Sequence, residues 1–200
     1  LNIGEKFRLY FKIHLKLLIH SIKSITNSKS QYKNSARRRK NPNHRKIGVI
    51  GTKSTIRSDI YVKKFKDADP SIEVSSLATP LLAPMIEEGF FNNNISKTVI
   101  NSYLSSPKLK KIDSLILACT HYPLIRPEID AFYKGKIEII NTAEIVAEHL
   151  KERLTQLKLL NEGPHKRHQF YVSDYTPSFE RSTRLFFEEK IHLSYKPIWD

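Results

Sequence analysis

A single cysteine occurs in these 200 residues, inside the stretch "LILACTHYPLI" that runs from Leu115 to Ile125. A run of apolar residues ends there in Cys119, Thr120 and His121, and Pro123 follows. Proline at the first turn of a helix would set the thiol beside unpaired N–H groups, which favour an anion. An imidazole two positions away can assist. Both effects would lower the thiol pKa below its free value of about 8.5 and make a reactive thiolate. The competing reading is a lone cysteine that closes an apolar strand as inert packing. Spacing alone leaves both open.

The elements around this stretch say where such a thiol would stand. "KIGVIGT", "IEVSSLAT", "SLILAC" and "KIEIINT" are short β-branched runs, and "SLILAC" is apolar on both faces, as in the middle of a parallel sheet. Between them lie "STIRSDIYVKKFKDA", with Ile56, Ile60 and Phe65 at near-helical spacing and Ser54 or Thr55 to cap it, and "PLLAPMIEEG", stopped by Gly89. "ISKTVINSYLSS", a helix from near Pro123, and the long amphipathic "AEIVAEHLKERLTQLKLL" complete the alternation. The pattern predicts an α/β lobe with a parallel sheet flanked by helices. Beyond "NEGPHKRH", the chain resumes with a strand at "QFYVSD", a helix around "PSFERSTRLFFEE" and an extended "IHLSYKPIW".

In such sheets ligands collect beyond the carboxyl ends of the strands. Thr52 and Thr55 follow the first strand, Cys119, Thr120 and His121 the third, and Asn141 and Thr142 the fourth, while Glu87 and Glu88 close the short helix after the second. Two other motifs carry less. "GVIGTKST" fails as a phosphate loop, because two residues separate Gly48 from Gly51 and Thr52 precedes Lys53 where that loop needs glycine. "HKRH", His165 to His168, has no acid or thiol beside it and reads as an exposed basic turn, so no metal site is expected.

The net charge of +14 is unevenly placed. Residues 1–46 hold 13 Lys and Arg against Glu5 alone, whereas the remaining 154 residues hold 21 basic and 19 acidic side chains. The charge therefore describes a basic leader, 1–45, and not the domain behind it. That leader has the composition of a solvated segment. Its apolar part is broken by Arg8, Lys12 and Lys16, too charged for a membrane span or a secretory signal. One cysteine rules out an internal disulfide and fits a reducing cytosol.

Four stretches in this order, "IGVIGTKSTIRS", "ATPLLAPMIEEG", "LILACTHYPLI" and "VSDYTPSFE", resemble glutamate racemase, of the aspartate/glutamate racemase superfamily. The resemblance covers about Lys46 to Asp200, and its most specific block is "ACTHYP". It implies a carboxy-terminal portion with a racemase lobe at 46–160 and a segment at 161–200 that packs back on an amino-terminal lobe. It implies a cytoplasmic isomerase that interconverts L- and D-glutamate for peptidoglycan without pyridoxal phosphate or any other cofactor. A homodimer is the implied assembly, with no specific nucleic acid and no membrane span. Two cysteines serve opposite faces of the substrate Cα in that family, and Cys119 matches the second. Thr120 and His121 match residues that bind substrate and assist the thiol, Glu87 an acid that orients the histidine, and Thr52 and Thr55 substrate contacts.

The departure is that the family's first cysteine, in a Cys-Asn-Thr motif, is absent, as are its Asp-Ser-Gly and Pro-Tyr-Gly segments. The expectation is a truncated or frame-disrupted racemase product with little activity alone. Two alternatives stand beside it: a related aspartate or hydantoin racemase, and a non-catalytic, basic-tailed binding protein built on a degenerate racemase lobe.

Overall fold

The computed structural model describes residues 45–161, 163, 168–175, 180, 183, 187 and 191–197. The leader and "HKR" of the basic turn lie outside them, as does most of the helix expected around "PSFERSTRLFFEE". Twelve elements follow in chain order: β1 (Arg45–Gly51), α1 (Lys53–Arg57), α2 (Ile60–Ala68), β2 (Ile72–Ala78), α3 (Leu82–Glu87), α4 (Asn94–Leu104), β3 (Ser114–Ala118), α5 (Arg126–Tyr133), β4 (Glu138–Asn141), α6 (Thr142–Gln156), β5 (Phe170–Val172) and β6 (Leu193–Tyr195). Short 3₁₀ turns at Pro107–Leu109 and Tyr122–Ile125 precede β3 and α5.

Four strands form a parallel sheet in the order β2-β1-β3-β4. The chain leaves β1 towards one edge and returns to build towards the other, so the direction reverses between β1 and β3. That reversal opens a crevice at the carboxyl ends of these two strands. All five residues of β3 are buried, which is why its sequence reads as a continuous apolar run and not an alternation. Strands β5 and β6 pair in parallel as a separate two-stranded sheet.

The sheet divides the core in two. On one face Ile50, Leu115, Leu117 and Ile139 pack with Leu82 and Ile86 of α3, Ile100 and Leu104 of α4, and Ile129 of α5. On the other, Ile47, Val49, Ile116 and Ile140 meet Tyr61 and Phe65 of α2. Gly48 and Gly51 have packing roles in place of a phosphate loop. A Cβ on Gly48 would lie 2.8 Å from Ile112 Cδ1, and one on Gly51 would lie 3.2 Å from the Ala118 carbonyl oxygen. These close approaches let β1 sit tight against β3 and its covering helices.

Two local expectations are corrected. "STIRSDIYVKKFKDA" is two helices, because Asp59 adopts a left-handed φ of 52° that interrupts the helical path. Its amino-terminal cap is Thr52, whose side chain accepts from the Thr55 N–H, and neither Ser54 nor Thr55. The strands, α3, α4 and α6 lie where the sequence places them. However, α6 buries none of its 15 residues, although Ile145 packs partly against the second face.

Candidate functional site

The register of the sheet assembles the site. Gly51 pairs with both Ala78 and Ala118, so Thr79, Thr52 and Cys119, each one residue further, emerge in a row at the carboxyl edge. Adjacent strands are about 4.8 Å apart. Sequence separations of 27 residues (Thr52 to Thr79) and 67 residues (Thr52 to Cys119) thus become neighbouring positions.

Each of the three is treated differently by its surroundings. Thr79 is completely buried; its N–H donates to the Gly51 carbonyl, and its hydroxyl shares a 2.7 Å hydrogen bond with the Tyr122 phenol. The phenol also reaches the Thr79 carbonyl at 3.2 Å. This pair ties the end of β2 to the turn that follows Cys119. Sequence reasoning missed it, although a threonine closing a strand just before Pro80 was the available signal. Thr52 is half-buried, and its hydroxyl lies 2.9 Å from that of Thr55, which places two hydroxyls at the mouth of β1.

Cys119 is a half-buried free thiol. The chain turns at once: the Tyr122 N–H donates to the Cys119 carbonyl at 3.2 Å, and the 3₁₀ turn runs on into α5. Tyr122 and Ile125 are wholly buried and anchor this turn from beneath. The turn brings His121 back over the thiol, with Nδ1 3.7 Å from Sγ. The other ring nitrogen, Nε2, lies 3.0 Å from Glu87 Oε1 at the end of α3. A Glu87 carboxylate accepts from Nε2–H, so in the neutral imidazole Nδ1 is the acceptor that faces the thiol. Thr120 is exposed at the tip of the turn.

The thiol is not the low-pKa group its spacing suggests. Burial pushes the Cys119 pKa up, and the Glu87 carboxylate adds to the rise. The N–H groups of His121 and Tyr122 pull it down, as an exposed turn amino terminus should, yet desolvation outweighs them. The Tyr61 and Tyr122 phenols are likewise raised, first by burial and then by the nearby sulfur. In the resting chain Cys119 therefore carries its proton. A general acid over the crevice needs that state; a standing nucleophile does not.

The strand ends do not all contribute. The Asn141 side-chain oxygen caps α6 by accepting from the Ala143 N–H, and its amide donates to Glu144 at 2.9 Å. The Thr142 hydroxyl donates to the Leu117 carbonyl at 3.0 Å. Asn141 thus serves the start of α6, and Thr142 ties that start to β3. Glu88 is exposed beyond α3 and takes no part in the histidine contact. Among the described residues no group of His, Cys, Asp and Glu could hold a metal ion, and no helix is long and apolar enough to cross a membrane.

No protein-family model matches the chain. It is 38% identical over 153 residues to the glutamate racemase of Streptococcus pneumoniae serotype 19F (strain G54), a match that covers 75% of this chain and 57% of that protein. It is 37% identical over 150 residues to glutamate racemase 3 of Caldanaerobacter subterraneus subsp. tengcongensis, covering 74% and 55%. Among solved structures, the glutamate racemase of Francisella tularensis in complex with D-glutamate superposes with a TM-score of 0.70 at 33% identity, covering 78% of this chain and 58% of that one. Glutamate racemase isoform RacE1 from Bacillus anthracis gives the same TM-score at 31% identity, covering 76% and 57%. The chain thus spans a little over half the length of the relatives it matches, and its four-stranded lobe has the fold of a glutamate racemase lobe.

Proposed function

We infer that this chain, similar to glutamate racemases through three quarters of its length, carries one half of a cofactor-independent glutamate racemase site. The observation that supports this most is the line from Cys119 through His121 to Glu87, with contacts of 3.7 and 3.0 Å. An amino-acid Cα–H is a very weak acid, so moving its proton needs a desolvated thiol and a fixed clamp on the substrate carboxylate. Cys119 holds its proton at rest and delivers it to one face of a Cα carbanion. His121 Nδ1, held in place by the Glu87 contact on Nε2, accepts the thiol proton when the step runs in reverse, leaving a thiolate to withdraw the proton from Cα. Thr52, Thr55 and Thr120 are the hydroxyls proposed to hold the substrate.

Inversion needs a second acid or base on the opposite face of Cα, and these 200 residues contain one thiol. A polypeptide of this sequence alone would return a proton to the face it came from. Losing one member of a cooperating catalytic unit often removes most of the rate. Glutamate is the proposed substrate, peptidoglycan precursor supply the proposed use, and the cytoplasm the proposed location. The homodimer implied by the resemblance is a further proposal, to be read by sedimentation.

The test follows D-glutamate by circular dichroism while deuterium uptake at Cα is measured in heavy water. We expect little racemisation, with slow exchange that disappears in Cys119→Ser. Exchange that survives Cys119→Ser would remove the thiol from the chemistry. Robust racemisation by the 200-residue chain would show that a group other than a second thiol serves the far face.

A further inference from the structure

Between α4 and α5 lies a hollow of about 430 Å³, apart from the Cys119–His121–Glu87 line and within the size range of small-ligand sites. Ile100 and Phe132 give it an apolar lining, Asn101 a neutral polar one, and Lys97, Glu128 and Lys134 the charges. Glu128 sits in the first turn of α5, where an acid suits the helix dipole. That placement explains the residue but not its bonding.

Glu128 is 9% exposed. One oxygen, Oε1, accepts from the Ser96 hydroxyl at 2.5 Å. Ser96 is already committed to the capping box of α4, in which its backbone N–H donates to Asn93 Oδ1 and its hydroxyl oxygen accepts from the Asn93 N–H. The second oxygen, Oε2, is buried with no hydrogen-bond partner. A buried acceptor left so costs about 1–3 kcal/mol, and folded chains seldom carry one without a reason. Lys97 and Lys134 line the same hollow, but neither supplies the missing bond.

We propose that this hollow binds a small zwitterion of the amino-acid or dipeptide class. Its ammonium donates to Glu128 Oε2, its carboxylate lies between Lys97 and Lys134, and its middle rests on Ile100 and Phe132. The terminal carboxyl torsion of a glutamate is broad, so a partial turn brings Oε2 towards the hollow while lengthening the Ser96–Oε1 contact, which the ligand's ammonium offsets. The inference is independent of the racemase reading.

Glycylglycine is the probe, titrated into the ¹⁵N-labelled 200-residue chain and followed at the backbone amides of Asn101 and Ala131. Methylamine and acetate are the single-charge controls. Saturable shifts are expected with glycylglycine, with each control weaker by roughly tenfold, about the value of one charge-assisted hydrogen bond. Glu128→Gln should weaken binding by a similar factor. Lys97→Ala, on the exposed rim, keeps the test independent of any folding defect in the first variant and should also weaken it. Glycylglycine binding unchanged in both variants, shifts confined to the amides of Cys119 and His121, or no saturable shift at Asn101 and Ala131 would each overturn the proposal.

Discussion

The carboxyl ends of β3 and β4 carry similar polar residues in the same topological position, and the fold uses them in opposite ways. At β4 the Asn141 side chain bonds the Ala143 N–H and Glu144, Thr142 bonds the Leu117 carbonyl, and Glu144 also meets Arg126 of α5. At β3, Cys119, His121 and Glu87 make a line that joins the turn after β3 to the end of α3 and ends at part-exposed side chains. The β4 side chains are thus taken up at the start of the helix that follows, whereas the thiol and imidazole beyond β3 are not. At β4 the helix starts immediately, so its first N–H groups take the side chains. At β3 a 3₁₀ turn intervenes: the Tyr122 and Leu124 N–H groups bond the Cys119 and His121 carbonyls, and no helix cap takes the thiol or the imidazole.

This contrast can be broken most severely from below. Ile125 is wholly buried under the β3 turn, so Ile125→Ala should cost about 2–5 kcal/mol of stability by urea titration and speed alkylation of Cys119 as the turn loosens. A large loss of stability with unchanged alkylation would mean that the turn keeps its shape without the anchor. Tyr122→Phe removes only the phenol that bonds Thr79, and we expect about 1–3 kcal/mol, because Thr79 loses a buried partner. A neutral result would show that the Gly51 carbonyl alone satisfies the threonine.

At the other strand end, Asn141→Ala should cost about 0.5–2 kcal/mol as a lost helix cap, with no change in Cys119 alkylation. An altered alkylation rate would mean that the two strand ends are coupled and the contrast is false.

The smallest effects are expected in the pH profile. The Cys119 pKa is raised, so its alkylation midpoint should lie above that of an ordinary thiol, and Glu87→Gln should bring it part of the way down. Linkage gives the matching stability effect. A group raised on folding contributes stability that is complete below its unfolded pKa and is lost as pH rises through the folded one. The chain should therefore weaken in alkali first through Cys119 and then through the buried phenols, of which Tyr133 is pushed up to about 12. A Cys119 midpoint below the ordinary thiol value would restore the thiolate reading of the turn.

The sequence by itself determined the four strands, because β-branched runs bounded by turn residues have few other uses, and "SLILAC" identified the centre of the sheet by being apolar on both faces. It also named Cys119, His121, Glu87, Thr52 and Thr55, with the pairing of histidine and acid drawn from the resemblance and not from spacing. The tertiary structure decided what spacing cannot contain. Thr79 and Tyr122 lie 43 residues apart and meet only because sheet register sets them side by side. Asn141 and Thr142 look like ligands in the sequence; in the fold Asn141 caps α6 and Thr142 bonds the Leu117 carbonyl. The sign of the Cys119 pKa shift was decided the same way: the local turn pulls it down, as the sequence predicts, but burial is a sum over neighbours from the whole lobe, and burial wins.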